Sequence, residues 1–404
     1  MQISPKVLMF GWEYPPFNSG GLGTACYGLT HGLADNDVDV TFVLPRKVNA
    51  SSKQIKIAFA DQREVSEDFY RKLYNPYITT ELYKTLRKTL DSDDIISDDL
   101  ITEVYKYSIN ARSIATDHNY DIIHAHDWLS FGAGMEARHI THKPLVLHVH
   151  ATEFDRTGFS GVHPHIYNIE KEGMKRADKV IAVSGYTKDV IVKHYNIPWH
   201  KVEIVHNGID LKDYSKRHKD IQAVKKIFGK IVLFVGRLTL QKGVDYFLEA
   251  AYKVLQHTDD VSFIIAGSGD AQNQLMQEAA RYGITNKVFF TGFLRGEDLN
   301  KLYQAADLFV MPSVSEPFGI AALEALANGT PVMVSKQSGV SEVVSHALKV
   351  NFWDTDEMAN EMLSLLKYPS LHDCLQTNAA QEVPKFSWKE SARKCASIYQ
   401  QLIP

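Results

Sequence analysis

Asp307-Leu-Phe-Val-Met-Pro-Ser-Val-Ser-Glu316-Pro-Phe-Gly-Ile-Ala-Ala-Leu-Glu324-Ala-Leu-Ala-Asn-Gly-Thr-Pro331 is the stretch from which the fold can be read. Its first part is a short apolar run that ends in turn residues, the pattern of a buried strand. Pro317 pushes Glu316 into an extended conformation, and a helix cannot extend backwards past that proline. From about Gly319 the pattern turns helical, with Ala and Leu throughout and Gly329 placed to end it. Glu316 therefore falls on a strand-to-helix loop, and Glu324 about a turn and a half inside the helix. The amides of Phe318, Gly319 and Ile320 open that helix with no earlier carbonyl to bond. They offer an anion cradle between two carboxylates.

The same strand–loop–helix unit recurs along the chain. In the first half, apolar strand candidates stand at Val7–Phe10, Val38–Leu44, Asp121–His124, Leu145–Val149 and Val180–Val183. In the second they stand at Ile231–Val235, Val261–Ala266, Val288–Thr291, Leu308–Met311 and Val332–Ser335. Helical patterns such as Gly243–Gln256 and Ala271–Tyr282 alternate with them. Two successive series of this kind imply an α/β protein with two doubly wound parallel sheets. The boundary falls near Trp199–Asp213, where the turn-like His206-Asn-Gly-Ile-Asp210 separates the series. The expected domains are 1–205 and 206–385, followed by an amphipathic helix over 386–404. Residues of about 50–115 break the rhythm and read as a helical insertion, with Glu67–Tyr74, Thr80–Leu90 and Asp98–Ala115 as its helices.

Composition sets outer bounds. A chain of 404 residues exceeds what one core usually serves. With 45% hydrophobic and 23% charged residues it is an ordinary globular chain, and a net charge of −4 gives no reason to expect a nucleic-acid partner. Three scattered cysteines, Cys26, Cys374 and Cys395, fit neither a disulfide framework nor a zinc site. The N-terminal apolar run is too short for a signal peptide, and no stretch reaches the length of a membrane span, so a cytoplasmic protein is expected.

Three further elements carry candidate chemistry. In Val235-Gly-Arg237-Leu-Thr-Leu-Gln-Lys242-Gly243, an Arg and a Lys five positions apart on one loop can converge on a diphosphate, the Arg as a planar fork and the Lys as a point charge. In Gly11-Trp-Glu-Tyr-Pro-Pro-Phe-Asn-Ser-Gly20-Gly21-Leu-Gly23, adjacent glycines let backbone amides approach an anion or a sugar closely. Neither this segment nor Gly267-Ser-Gly269-Asp-Ala-Gln272 has the third glycine of the dinucleotide fingerprint. Histidines close two strands, in His124-Ala-His126-Asp-Trp128 and His148-Val-His150-Ala-Thr152. His126 and His150 are expected at the ligand-facing carboxyl ends, with His124 and His148 turned to the other sheet face as packing.

Together these strings resemble glycosyltransferase family 4, which includes the glycogen and starch synthases. The Glu316–Glu324 stretch resembles its E-x7-E segment, and the Arg237–Lys242 loop its donor-phosphate loop. His126-Asp-Trp128 is similar to an H-D-W element, and Gly20-Gly21-Leu22 to the end of a K-T-G-G-L loop. Ser338-Gly-Val-Ser-Glu342 is similar to a G-G-x-P-E turn. The resemblance implies the GT-B fold, two Rossmann-like domains facing across a cleft with the C-terminal helix crossing back to the first. It also implies retaining transfer of a hexosyl unit, with ADP-glucose or UDP-glucose as donor and an α-1,4-glucan as acceptor. In that assignment Arg237 and Lys242 hold the diphosphate, with Gly20, Gly21 and the Phe318, Gly319 and Ile320 amides near it. Glu316 and one or both of His126 and His150 face the hexose, Glu324 the ribose, and Phe293 and Leu294 the nucleobase. One departure stands out: Ser19 stands two positions before Gly21 and no lysine precedes the glycines, which weakens a narrow assignment to the bacterial ADP-glucose synthases. Another acceptor (a sugar phosphate, lipid or surface polysaccharide) and a sugar-nucleotide 2-epimerase remain open.

No cofactor and no required metal are expected. The pairs Asp37-Val-Asp39 and Asp91-Ser-Asp93 have the Asp-x-Asp form that holds a divalent ion on a diphosphate elsewhere, but neither adjoins the phosphate loops.

Overall fold

All ten apolar runs become strands, and every strand pairs in parallel with its neighbours. The computed structural model describes residues 4–17, 20–63, 83, 99–214, 216, 218 and 221–403. Among these the chain forms two compact units. The first comprises Met1–Glu153, Val162–Gly208 and Trp388–Pro404, and the second Phe154–Gly161 and Ile209–Ser387. The expected boundaries at 205/206 and 385/386 thus fall at 208/209 and 387/388, and residues 154–161 group with the second unit rather than the first.

In the first unit the strands are β1 (Lys6–Phe10), β2 (Asp39–Leu44), β3 (Lys56–Phe59), β4 (Ile122–His126), β5 (Leu145–Val149), β6 (Lys179–Ala182) and β7 (Val202–Ile204). Their order is β3-β2-β1-β4-β5-β6-β7. Strand β3 lies inside the span read as a helical insertion, so that reading is corrected at its start: residues 56–59 extend the sheet. A helix over Leu100–Asp117 closes the same span, capped by the Asp99 side chain on the Thr102 amide. The other two expected helices of the insertion lie outside the described residues, Tyr83 excepted.

The C-terminal helix Trp388–Leu402 packs on the helix Gly21–Ala34, and glycine makes that possible. A Cβ on Gly28 would stand 2.2 Å from the Trp388 ring, and one on Gly32 would stand 2.5 Å from the Trp388 carbonyl oxygen. The bare helix surface is the seat for the indole, and the chain end is therefore part of the first unit.

In the second unit the strands are β8 (Lys230–Val235), β9 (Val261–Ala266), β10 (Val288–Gly292), β11 (Leu308–Met311), β12 (Val332–Ser335) and β13 (Leu348–Val350), in the order β10-β9-β8-β11-β12-β13. Strands β8, β9 and β11 are buried almost throughout, as a parallel sheet covered by helices on both faces requires. Phe247, on the helix Val244–Leu255, packs its ring between Phe234 of β8 and Phe263 of β9, at centroid distances of 5.7 and 5.8 Å. Each such buried ring contributes about 1.5–3 kcal/mol.

Both orders reverse direction beside their first strand, between β1 and β4 and between β8 and β11. In open α/β sheets the loops leaving such a pair diverge, and the crevice between them is where ligands bind. Among the described residues no helix is long and apolar enough to cross a membrane.

Candidate functional site

The switch point of the second sheet joins the two loops that the sequence singles out. β8 and β11 are hydrogen-bonded neighbours, with Leu308 opposite Val232 and Phe309 opposite Leu233. The loop after β8 runs from Gly236 to Gly243, and the loop after β11 from Pro312 to Gly319. Lys242 Nζ reaches Glu316 Oε2 at 2.6 Å, and Ser313 Oγ donates to the same carboxylate oxygen at 3.1 Å. Glu316 is only 8% exposed. Gln241, also buried, ties the loops together: its Nε2 donates to the Ser315 carbonyl at 3.1 Å, and its own carbonyl accepts from the Val314 amide at 2.9 Å. Arg237 Nη2 leans on Gln241 Oε1 at 3.5 Å.

Glu316 is extended, as Pro317 dictates, and pairs like a strand residue with the segment around Ser338. Its amide donates to the Gln337 carbonyl at 3.0 Å, and its carbonyl accepts from the Gly339 amide at 2.9 Å. The helix then starts at Ile320, with Gly319 as its N-cap. Gly319 has φ of +107°, and a Cβ there would stand 2.7 Å from Met311 Cε. Only glycine allows the chain to turn from Glu316 into the helix this tightly.

Glu324 lies within that helix, and its two oxygens accept from Tyr214 and Tyr303 hydroxyls at 3.3 and 3.2 Å. Burial raises the Glu324 carboxyl above its usual range, while the two phenols act in the opposite direction. A carboxylate has about four lone-pair sites, so two remain beyond the tyrosines. Neither tyrosine is announced by the sequence, since each comes from a separate segment. Phe293 follows the end of β10 and is 61% exposed, and Leu294 beside it is half-buried.

The first unit places its residues differently from the sequence expectation. Side chains alternate along a strand, so His124 and His126, two apart, share a face, as do His148 and His150. His126 stands opposite His148 in the β4–β5 register. All four rings consequently form one stack, with His124 and His126 at 4.5 Å between centroids and His148 and His150 at 4.3 Å. The expectation that His124 and His148 turn to the other sheet face is wrong for this reason. His126 Nδ1 and His150 Nε2 share a hydrogen bond of 2.9 Å, and His124 Nδ1 shares one of 2.5 Å with the Tyr399 hydroxyl of the C-terminal helix. His126 is fully buried and His150 half-buried, so His150 is the more accessible of the two. Burial lowers His124 and His150 to about 3, and lowers His126 and His148 well below the ordinary imidazole value. The stack is neutral.

Asp127 holds the end of β5. It sits at φ of +57°, a costly backbone for a residue other than glycine, and its Oδ1 accepts from the His150 and Ala151 amides at 2.6 and 3.3 Å. The sequence contains it in the H-D-W string without showing this duty. Gly20 caps the helix Gly21–Ala34, and Gly21 is exposed at its first turn; Ser19 and Asp91–Asp93 lie outside the described residues. Asp39 is paired with Lys56 at 3.0 Å.

Among the described residues, two sets of side chains bring possible metal-ligand atoms within 4.8 Å: Cys26, His126 and His150, and His124, His126 and His148. A metal must lie near the plane of each imidazole that binds it. The His124, His126 and His148 rings are stacked within 28° of parallel, so no one point serves all three planes. In the other set, the His126 and His150 rings are tilted by 31° and share a hydrogen bond of 2.9 Å between Nδ1 and Nε2.

Known proteins match this chain over nearly its whole length. Residues 217–382 match the model described as Glycosyl transferases group 1, and residues 92–213 the model described as Glycosyltransferase Family 4. An uncharacterized glycosyltransferase of Methanocaldococcus jannaschii is 32% identical, over 98% of both chains. A glycogen synthase of Mycobacterium tuberculosis is 27% identical, over 98% of this chain and 94% of its own. The structure of the Anabaena protein HepE in complex with UDP-glucose superimposes with a TM-score of 0.73 at 20% identity, covering 98% of this chain and all of that one. The doubly wound pair of sheets is thus the GT-B arrangement, and the sequence identity sustained over nearly the whole length makes this chain a member of glycosyltransferase family 4.

Proposed function

We propose that the protein transfers a hexosyl unit from a nucleotide sugar with retention of its anomeric configuration. The favoured donor is ADP-glucose or UDP-glucose, and the favoured acceptor is the non-reducing end of an α-1,4-glucan. The observation that carries this reading is the Lys242–Glu316 pair at the switch point, which sets a cation and a carboxylate side by side. Glycosyl transfer expels a nucleoside diphosphate, whose charge grows in the transition state. Lys242 and Arg237 stabilise that charge, and the Phe318–Ile320 amides back it at the helix start.

Glu316 then binds hydroxyls of the hexose and supports positive charge developing at its anomeric carbon. Glu324 takes the ribose hydroxyls on the lone pairs its tyrosines leave, and Phe293 and Leu294 lie against the base. In the first unit His150, oriented by His126 and by Asp127, is the proposed sugar contact. Neutral imidazole suits that task, since it polarises a sugar hydroxyl without placing a cation beside an oxocarbenium-like centre. Retention follows from attack on the face the leaving phosphate occupies, with that phosphate as base. The nucleotide sugar is a substrate, and the chemistry calls for no further cofactor. The glycogen synthase relative and the UDP-glucose complex of HepE support the choice of acceptor and donor.

A second reading keeps the chemistry and changes the acceptor to a sugar phosphate, lipid or surface polysaccharide. It is favoured by the absence of a lysine before Gly20-Gly21. Turnover measured across ADP-, UDP- and GDP-hexoses, with glycogen as acceptor, tests both. Donor turnover with no gain of glucan sends the acceptor assignment to the second reading, and interconversion of the donor sugar without transfer points to an epimerase.

A further inference from the structure

Residues 154–161 are covalently framed by the first unit yet fold with the second. The frame is closed at its base, where Glu153 Oε1 accepts from the His163 amide at 3.2 Å and the Glu153 amide donates to Glu170 Oε2 at 3.1 Å. Just past that base, in the short helix Glu153–Arg156, stands Asp155. Its Oδ1 accepts a hydrogen bond of 2.6 Å from Ser315 Oγ, and both side chains are fully buried. Ser315 immediately precedes Glu316.

We propose that Asp155 is a positioning residue for the transfer reaction, fixing the Glu316 carboxylate through Ser315. The inference rests on the role given to Glu316 under the proposed function. The Ser313–Glu316 loop has contacts that fix its backbone: the Val314 amide on the Gln241 carbonyl, the Ser315 carbonyl on Gln241 Nε2, and the Glu316 amide on the Gln337 carbonyl. The Ser315 hydroxyl bond to Asp155 anchors the loop through a side chain and ties it to a segment 160 residues away in sequence. A hydrogen bond to a buried carboxylate is short and stronger than a neutral one, so it resists the small rotations that the backbone contacts permit. Misplacing a positioned group by about 1 Å can cost on the order of a hundredfold in rate. Asp155 thus acts on kcat without touching the donor.

The test compares Asp155→Ala, Ser315→Ala and the double variant with Asp155→Asn and Ser315→Thr, which keep an acceptor and a hydroxyl respectively. Each is assayed for kcat and donor KM in the full-length protein, with melting temperature as a folding control. Each alanine variant is expected to lose kcat by about tenfold or more at little change in KM, the double variant to lose no more than the worse single, and the conservative variants to recover most of the rate. Equal rises in KM with kcat intact, additive losses, or conservative variants as impaired as the alanines overturn the proposal. A parallel Glu316→Gln assay separates the two levels. If that variant is impaired while Asp155→Ala and Ser315→Ala are not, the positioning role fails and the site reading stands. If Glu316→Gln is itself fully active, the site reading fails, and the positioning role with it.

Discussion

Lys242 Nζ and Glu316 Oε2 lie 2.6 Å apart because β8 and β11, distant in sequence, are adjacent where the strand order of the second sheet reverses. Both groups are mostly withdrawn from water, with side-chain exposures of 20% and 10%. On the proposed reading, an arriving diphosphate takes over the ammonium and leaves the carboxylate for sugar hydroxyls.

Replacing Lys242 or Arg237 with Ala should therefore lower turnover by about tenfold to a hundredfold through lost stabilisation of the departing diphosphate. Lys242→Ala also bears on stability: among the described residues it leaves the Ser313 hydroxyl as the remaining side-chain partner of Glu316 Oε2, and removing one partner of a buried pair costs about 3–5 kcal/mol, which calorimetry can read. Near-normal turnover in both folded variants would remove the phosphate role.

Glu316→Gln keeps the shape and the Ser313 bond but removes the charge. It should depress kcat more than donor affinity, because the charge matters as the oxocarbenium character develops. Glu324→Gln should act chiefly on donor binding, since ribose contacts are the same in ground and transition states. Proton NMR of the new linkage should show the donor's α configuration. A β product, or a Glu316→Gln enzyme with unchanged kcat, contradicts the assignment.

The parts of this molecule that were legible in the sequence are those fixed locally. Nine of the ten apolar runs form largely buried strands, and a strand covered on both faces carries a continuous hydrophobic signal; the tenth, β10, is a part-buried edge whose Val288-Phe-Phe290 run is apolar all the same. The three strands that escaped notice, β3, β7 and β13, are the short edges of their sheets. Each has one side without a neighbouring strand and carries charged residues such as Lys56, Glu203 and Lys349, so its pattern is diluted. Glu316 and Lys242 could be named because each belongs to a loop with its own turn chemistry. Their salt bridge is a consequence of strand order, which no local pattern encodes. The same is true of Asp155 with Ser315 and of the two tyrosines on Glu324. The histidine error had a different source: the period of two along a strand was misapplied, not hidden.

Activity should survive exhaustive chelation with EDTA. On the proposed reading Arg237 and Lys242 supply the positive charge that a divalent ion provides in transferases with an Asp-x-Asp pair, and the His124, His126 and His148 planes share no common ligand point. Loss of activity on chelation, restored by magnesium or manganese, would show that the cationic loop is insufficient.

The histidine stack makes acid sensitivity a property of the first unit. Its four imidazoles are neutral in the folded protein, with His124 and His150 lowered to about 3 and His126 and His148 lowered well below the ordinary value, all by burial. In the unfolded chain each titrates near its ordinary value of about 6.5. As pH falls below that value, the unfolded state takes up protons the folded state refuses. Stability is thus complete above about pH 6.5 and is lost progressively as pH drops toward the folded values. A histidine of this kind loses about 1.4 kcal/mol between pH 7.5 and 5.5, a window above most carboxylate titrations. Equilibrium urea unfolding at the two pH values should show a loss of several kcal/mol. His124→Gln, which keeps a partner for the Tyr399 hydroxyl and cannot titrate, should reduce that loss by about 1.4 kcal/mol. If this variant and the wild type lose the same stability on acidification, His124 is not held neutral in the fold.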